Sequence, residues 1–317
     1  MPAQAPGRDL DTFAVEVAEH LGRTPRELPS KYFYDALGSA LFEAICLLPW
    51  YRITRAETGL LERHVHDILR PLDRPLTLAE LGCGSGEKLE RFASLAGGRF
   101  ASIELVDISA AALESARRRM ELANVGPVAI HEGTYEQGLD AVAASTPSGA
   151  RLVLFLGSNI GNFEPAAARA LLGRIHGALS SGDGLLLGSD LVKSETELRL
   201  AYEDPLQVTA AFNLNLLRRI NEELGGTFAL GAWSHRAVWN AETSRVEMHL
   251  VSRIAQRVRI DAAGLDLAFE AGESILTESS YKYRPADVLA LGRAAGFTGD
   301  EQWIDQPAGF ALTRFRV

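Results

Sequence analysis

Nine residues, Glu80 to Lys88 (ELGCGSGEK), carry the clearest chemical signal in the chain. Before them, Leu76-Thr-Leu-Ala-Glu-Leu81 alternates apolar with other residues and ends beside an acid, as a strand would. After them, Leu89 to Leu95 has helical spacing. The stretch therefore reads as strand, glycine turn, helix. Gly82, Gly84 and Gly86 occupy every second position, so no side chain need separate the backbone from a ligand lying over the turn. The helix start adds backbone N–H groups for a polar or anionic group. The spacing G-x-G-x-G differs from the dinucleotide pattern G-x-G-x-x-G, and the lysine-serine pair of a phosphate loop is missing.

Other polar residues fall at strand ends. Phe100 to Asp107 reads as a second strand closing on an acid, about 20 residues past the glycines, where the ribose hydroxyls of a nucleoside cofactor sit. Asp107 is the candidate and Asp190 a weaker one; a helix N-cap fits Asp107 as well. Arg151 to Leu156 is a continuous apolar run suited to the middle of a parallel sheet. It leads into Gly157-Ser-Asn-Ile-Gly-Asn-Phe163, which puts Asn162 at the ligand edge. Tyr32, Phe33 and Tyr34 are consecutive, so they cannot all face one core.

The elements that must position these residues alternate. Strands at 76–81, 100–107, 127–131, 151–156 and 183–188, with helices between, imply a doubly wound sheet with ligands at the strand C-termini. Residues 1–8 are expected to be disordered, with helices at 9–21 and 58–69. From about Ser194 the alternation stops. A helix over Leu198–Leu217 and two strand pairs (233–239 with 246–251, and 255–260 with 265–269) form a mostly β insertion. A proline-started helix over 285–295 and a hairpin, 302–305 with 310–317, close the chain.

The net charge of −9 argues against nucleic acid and anionic membrane as partners. Two cysteines, Cys46 and Cys83, make no disulfide framework and match no zinc spacing, so no metal is expected. The polar start MPAQAPGRDLDTF has no apolar signal core, and no stretch approaches a membrane span. A cytoplasmic monomer acting on a small molecule is the expectation.

The turn E-L-G-x-G-x-G after a first strand resembles motif I of class I S-adenosylmethionine (SAM) methyltransferases. From about Leu28 to Val317 the chain resembles the L-histidine Nα-methyltransferases of ergothioneine biosynthesis. The resemblance rests on FYDALGSALF (33–42), LPWYRITRAE (48–57), ELGCGSGEK, FLGSNIGNFEP (155–165), LLLGSDLVK (185–193), AYEDPLQVTAAFNLN (201–215), RVEMHL (245–250) and ILTESSYKYRP (275–285). It implies transfer of three methyl groups from SAM to the α-amine of histidine, giving hercynine, with S-adenosylhomocysteine as the product. The implied fold is α/β, a class I SAM-methyltransferase Rossmann-like sheet with a second α+β lobe. Residues 58–193 plus 281–317 would bind SAM, and 9–57 plus 194–280 the substrate.

The resemblance also implies roles. Asn162 and Tyr202 would hold the substrate carboxylate. Tyr34 and Tyr51 would line the substrate, with Tyr34 at the imidazole or amine and catalytic. Glu278 and Ser280 would read the imidazole, a carboxylate accepting from a ring N–H. Met248 would wall the ring and Phe42 shape the pocket, with Gly157, Asn159 and Thr209 completing the substrate set. Gly82, Gly84, Gly86 and Lys88 would receive the methionine end of SAM, Asp107 the ribose, and Thr134 with Tyr135 the adenine. The chain departs from the family pattern in three places. Thr134-Tyr135 replaces Asp-Phe, Asn159 stands where threonine is expected, and 50–53 is less rich in tyrosine and proline. Rival readings are the same chemistry on another amino acid such as tryptophan, or a non-catalytic SAM sensor. Glu278 argues against the first and the full set of substrate-facing matches against the second.

Overall fold

The computed structural model describes residues 6–72, 75–98, 100–145 and 149–317. The N-terminal segment forms α1 (Pro6–Leu21), a two-residue strand β1 (Arg26–Glu27) and α2 (Ala36–Leu47). The α/β run follows as α3 (Ile53–Leu69), β2 (Leu76–Leu81), α4 (Glu87–Leu95), β3 (Ser102–Asp107), α5 (Ala110–Ala123), β4 (Val128–Glu132), α6 (Tyr135–Ala144), β5 (Ala150–Phe155), α7 (Pro165–Gly177) and β6 (Gly184–Asp190). The insertion holds α8 (Glu195–Tyr202), α9 (Val208–Leu224), β7 (Trp233–Asn240), β8 (Arg245–Ser252), β9 (Gln256–Ile260), β10 (Leu265–Phe269) and β11 (Ser274–Tyr281). The tail is α10 (Pro285–Ala294), β12 (Gly299–Asp305) and β13 (Phe310–Arg316).

The chain divides into two compact units, Met1–Tyr51 with Ser194–Ser280, and Arg52–Lys193 with Tyr281–Val317. The second unit is built on one seven-stranded sheet in the order β12-β13-β6-β5-β2-β3-β4. Its central pairs are parallel, with Leu78 opposite both Ile103 and Leu152. β13 runs antiparallel between β6 and β12. The order reverses at β2 and β5, and that is where an open α/β sheet leaves a crevice beyond its strand ends. Every residue of β2, β5 and β6 is buried, as central parallel strands covered on both faces require. α3, α4 and α5 pack side by side, as do α6, α7 and α10. Leu81, Val106, Val153, Phe155 and Leu187 share one core with Leu139, Leu172 and Ile175 from the second row of helices.

In the other unit, β1-β11-β8-β7 form a four-stranded sheet and β9-β10 a hairpin. β7 and β8 pair antiparallel through the Asn240 turn, with Ala237 opposite Met248. α9 is the central helix of this unit. Thr209, Phe212, Asn213, Leu216, Leu217, Ile220 and Leu224 are buried along it at helical spacing.

Three sequence expectations shift. Residues 6–8 belong to the first turn of α1 rather than to a disordered tail, while residues 1–5 of that expectation lie outside the described residues. The helix expected from Thr58 starts at Ile53, because Ile53, Ala56 and Glu57 continue its buried stripe. The helix expected over Leu198–Leu217 is two helices. Pro205 cannot continue α8, and Asp204 starts α9 by accepting from the Val208 and Thr209 N–H groups at 3.2 and 2.8 Å. Among the described residues, no helix is long and apolar enough to cross a membrane.

Candidate active site

In the sheet unit, the end of β2 folds sharply because Gly82, Gly84 and Gly86 all take positive φ (77°, 52° and 73°). The Gly82 and Cys83 N–H groups both donate to the Val106 carbonyl, at 2.8 and 3.0 Å, tying the turn to β3. A Cβ on Gly82 would stand 3.0 Å from both the Tyr135 ring and Asn159 Nδ2, so nothing larger fits there. A Cβ on Gly84 would meet nothing within 4 Å, which leaves the top of the turn open. At Gly86 an added Cβ would sit 2.8 Å from the Ala116 Cβ, so that glycine serves the close packing of α4 on α5.

Asp107 braces this turn. One carboxylate oxygen accepts from the Gly84 N–H and the other from the Ser109 N–H, both at 2.9 Å. Burial pushes its carboxyl above the ordinary value, against the pull of the Ser109, Gly84 and Ile108 N–H groups. The N-cap of α5 is Ser109, whose hydroxyl accepts from the Ala112 N–H. Asp107 therefore stands at the mouth of the turn with room for further donors, since a carboxylate offers about four acceptor positions. The weaker candidate, Asp190, is buried between Lys193 (2.6 Å) and Lys282 (3.0 Å). Its acceptors are committed to an internal ion network.

Thr134 caps α6. Its hydroxyl accepts from the Gln137 N–H, and its own N–H donates to the Gln137 side chain, a capping box. Tyr135 lies against Phe155 and Phe163, with ring centroids 5.1 and 5.9 Å apart, and burial raises its phenol. After β5, Asn159–Asn162 form one turn of 3-10 helix; Asn162 is exposed and Gly157 takes φ 73°. Gly82, Asn159 and Tyr135 thus converge at one place.

Two acids that were not assigned from sequence lie beneath the turn. Glu57 on α3 is fully buried and pairs with Lys88 at 2.5 Å. Glu80, at the end of β2, is also buried, and its Oε2 has no hydrogen-bond partner among the described residues. Burial first, then the neighbouring Glu57 and Asp107 charges, push the Glu80 carboxyl up to about 8, with Lys88 opposing. An orphaned buried acceptor below an open glycine turn calls for a ligand carrying a donor. A SAM-like molecule fits this donor set. Glu80 would meet its ammonium, Lys88 and the turn its carboxylate, and Asp107 its ribose hydroxyls.

Glu80 makes stability depend on pH. Its carboxyl titrates at about 8 in the fold and at the ordinary 4.5 unfolded. The stabilising contribution is fully present below the lower value and fades as pH rises towards the upper one. The ligand-free wild type should therefore lose melting temperature relative to Glu80→Gln between about pH 5 and about pH 9. Parallel melting curves for the two proteins across that window would contradict the assignment.

The other unit gathers the remaining candidates. The Phe42 ring lies 5.7 Å from Tyr34, 6.3 Å from Tyr51 and 6.0 Å from Phe212, centroid to centroid. Tyr32 and Phe33 are buried while Tyr34 is only half-buried, so the three consecutive aromatics do divide. Asp35 caps α2 through the Gly38 N–H at 2.7 Å, and it also accepts from Asn215 at 2.8 Å and pairs with Arg218. These contacts fix the segment carrying Tyr34 against α9. On β11, Glu278 and Ser280 lie two residues apart and share one face, Glu278 half-buried and Ser280 buried. The Tyr202 hydroxyl donates to Ser280 Oγ at 2.9 Å, joining α8 to β11. Met248 is buried on β8, and its carbonyl accepts from the Thr277 hydroxyl at 3.0 Å. Thr209 is buried at the start of α9.

A supporting triad was missed at the sequence level. His235 Nε2 lies 2.7 Å from the Tyr202 carbonyl, and His235 Nδ1 lies 2.9 Å from Asn213 Nδ2. The carbonyl needs a donor and the amide NH₂ an acceptor, which fixes an Nε2–H tautomer. Burial holds this imidazole below its ordinary pKa and so keeps it neutral. The only sequence signal was polarity at Asn213, on the buried stripe of α9. Phe212, the neighbour of Phe42, lay in the same stretch.

Comparison with known proteins places this geometry. Residues 13–317 match the family described as histidine-specific methyltransferase, SAM-dependent. The chain is 40% identical over 305 residues to the histidine N-alpha-methyltransferase of Mycolicibacterium smegmatis, covering 94% of this chain and 92% of that protein. It is 39% identical over 316 residues to the histidine N-alpha-methyltransferase of Mycobacterium tuberculosis, covering 97% and 96%. It is 28% identical over 304 residues to the N-methyltransferase fsqC of Aspergillus fumigatus, covering 93% and 81%. With a class I sheet order, an open glycine turn above an orphaned acid, and a family match spanning almost its entire length, the chain belongs to the histidine-specific, SAM-dependent methyltransferases.

Proposed function

We propose that this enzyme methylates the α-amine of L-histidine, carrying the amine through to the trimethylated product. The observation that carries the reading is Glu278 beside Ser280 on one face of β11, with Ser280 fixed by Tyr202. A carboxylate accepts from an imidazole N–H, and a hydroxyl serves either ring nitrogen, so the pair selects a ring with donors over an apolar one. On substrate binding the Tyr202 phenol turns its one O–H from Ser280 to the substrate carboxylate while the Ser280 hydroxyl donates back to the phenol oxygen, a neutral donor that adds no cation to repel a sulfonium. His235 holds the Tyr202 backbone and so aims that donor.

The cofactor, when bound, supplies a sulfonium-bound methyl group whose carbon an amine lone pair attacks in line, with the thioether sulfur of S-adenosylhomocysteine as the leaving group. The residues of this chain orient the reactants and keep the amine unprotonated. Desolvation beside Phe42, Tyr51 and Phe212 favours the free amine before transfer, while the same ring faces accept the methylated cation afterwards. Tyr34 presents a phenolic oxygen that accepts a hydrogen bond from the amine N–H, and the proton lost before each transfer goes to water. Each methyl added removes one N–H donor, so neutral aromatic walls suit all stages.

Isothermal titration in the presence of S-adenosylhomocysteine tests this reading. L-Histidine should bind, while L-tryptophan and histamine, lacking the matching ring or the carboxylate, should bind at least about tenfold more weakly. Equal binding of tryptophan and histidine would overturn the substrate assignment and leave the methyltransferase chemistry in place.

A further inference from the structure

Glu57 is entirely buried, yet it is an ionisable side chain on a helix that supplies no residue of the glycine turn. Among the described residues, the hydrogen-bond partners of its carboxylate lie at the cofactor end of the sheet. Both oxygens accept from the Gly157 N–H, at 2.8 and 2.9 Å. Oε2 also accepts from Lys88 Nζ at 2.5 Å. Space for the carboxylate is provided by Gly188 on β6, where a Cβ would stand 2.1 Å from Glu57 Oε1. Residues from α3, α4, β6 and the turn after β5 are therefore arranged around one carboxylate.

Stability alone is a poor reason for this arrangement. Removing two charges from water costs several kcal/mol per ion, on the order of what their attraction returns, and a well-packed apolar pair commonly does as well. The groups that Glu57 holds are more informative. Lys88 sits in the first turn of the helix that follows the glycines, and a Cβ on Gly157 would be 3.5 Å from its Nζ. Two residues beyond Gly157, Asn159 packs against Gly82. The turn after β2 and the turn after β5 are thus tied together through Glu57.

We propose that Glu57 is a positioning residue for cofactor binding. It fixes the Lys88 ammonium and the Gly157 corner in the arrangement that receives the carboxylate end of SAM, and it acts only through them. The inference rests on the cofactor part of the functional reading and is independent of which amino acid is methylated.

The test is calorimetric titration of S-adenosylhomocysteine into wild type, Glu57→Gln, Lys88→Met and the double variant. Glu57→Gln keeps the shape of the side chain and removes the charge. It should weaken binding about tenfold or more, and raise KM for SAM with a much smaller change in kcat. The double variant should lose less than the product of the two single losses, since residues acting through one another are non-additive. Gly188→Ala displaces the carboxylate from a different strand without altering a charge. It should reproduce the loss, and it keeps the proposal testable if Glu57→Gln does not fold. A folded Glu57→Gln or Gly188→Ala variant that binds S-adenosylhomocysteine like wild type, even with a lowered melting temperature, would show a merely structural role. Losses that multiply in the double variant would also overturn the proposal. A wild type that failed to bind S-adenosylhomocysteine would sink the cofactor reading with it.

Discussion

Glu278→Leu is expected to lower kcat/KM for L-histidine by about 100-fold or more, while S-adenosylhomocysteine binds as in wild type. The carboxylate is the one ionised acceptor proposed for the imidazole N–H. A hydrogen bond to a charged group is worth about 1.5–3 kcal/mol, and a buried donor left unmet adds its own desolvation cost. Glu278 is held for this on a regular strand, two residues from Ser280, whose hydroxyl is already engaged by Tyr202. Glu278→Gln retains an acceptor of the same shape and should lose less, which separates charge from geometry. Adding Met248→Leu to Glu278→Leu should relax the preference further, towards apolar rings such as indole. Steady-state kinetics on histidine and tryptophan measure this directly. A double variant that kept the full preference for histidine would remove both residues from the recognition site.

Asp107→Asn should weaken S-adenosylhomocysteine by about 100-fold. In the wild type each carboxylate oxygen accepts one backbone N–H, from Gly84 and from Ser109. The asparagine amide nitrogen cannot accept, so one of those N–H groups loses its partner and the turn is no longer braced. The same change removes an acceptor proposed for the ribose hydroxyls. The variant should still fold, because the sheet core lies below the turn and is untouched. Titration of the variant, with circular dichroism to show that it is folded, checks the expectation. Wild-type affinity in a folded Asp107→Asn protein would place the ribose elsewhere.

The parts of the molecule that were legible in the sequence are those set by local pattern. The strand ending at Leu81, the three glycines and the helix from Glu87 are contiguous, and glycine spacing with a change of hydrophobic period is sufficient to read them. The β7–β8 hairpin was equally visible, through alternation on both sides of Asn240. Local reading failed where an apolar stripe carries a polar residue. Glu57 lies on the buried stripe of α3 and looks like an interruption of it, so the sequence pattern puts the helix start at Thr58, five residues after Ile53. At Asp204-Pro205 the opposite happened. Helical spacing runs on either side, so the pattern masks the break despite the proline.

Long-range polar contacts were not legible at all. The His235–Asn213–Tyr202 triad joins two helices and a strand, with Asn213 and His235 22 positions apart and Tyr202 and His235 33 positions apart. The Glu57–Gly157 contact spans 100 residues. Nothing in periodicity links positions that far apart; only the folded chain does. The orphaned Oε2 of Glu80 is a similar case, because the residue was visible as the acid closing β2 but its lack of a partner was not.

Mass spectrometry of the products formed when the enzyme is incubated with SAM and an equimolar mixture of L-histidine, L-tryptophan and histamine decides which amine it methylates. One principal product is expected, histidine heavier by three methyl groups on its α-nitrogen, with tryptophan and histamine recovered unchanged. Methylation of tryptophan in preference to histidine, or of a histidine ring nitrogen instead of the α-amine, would contradict it.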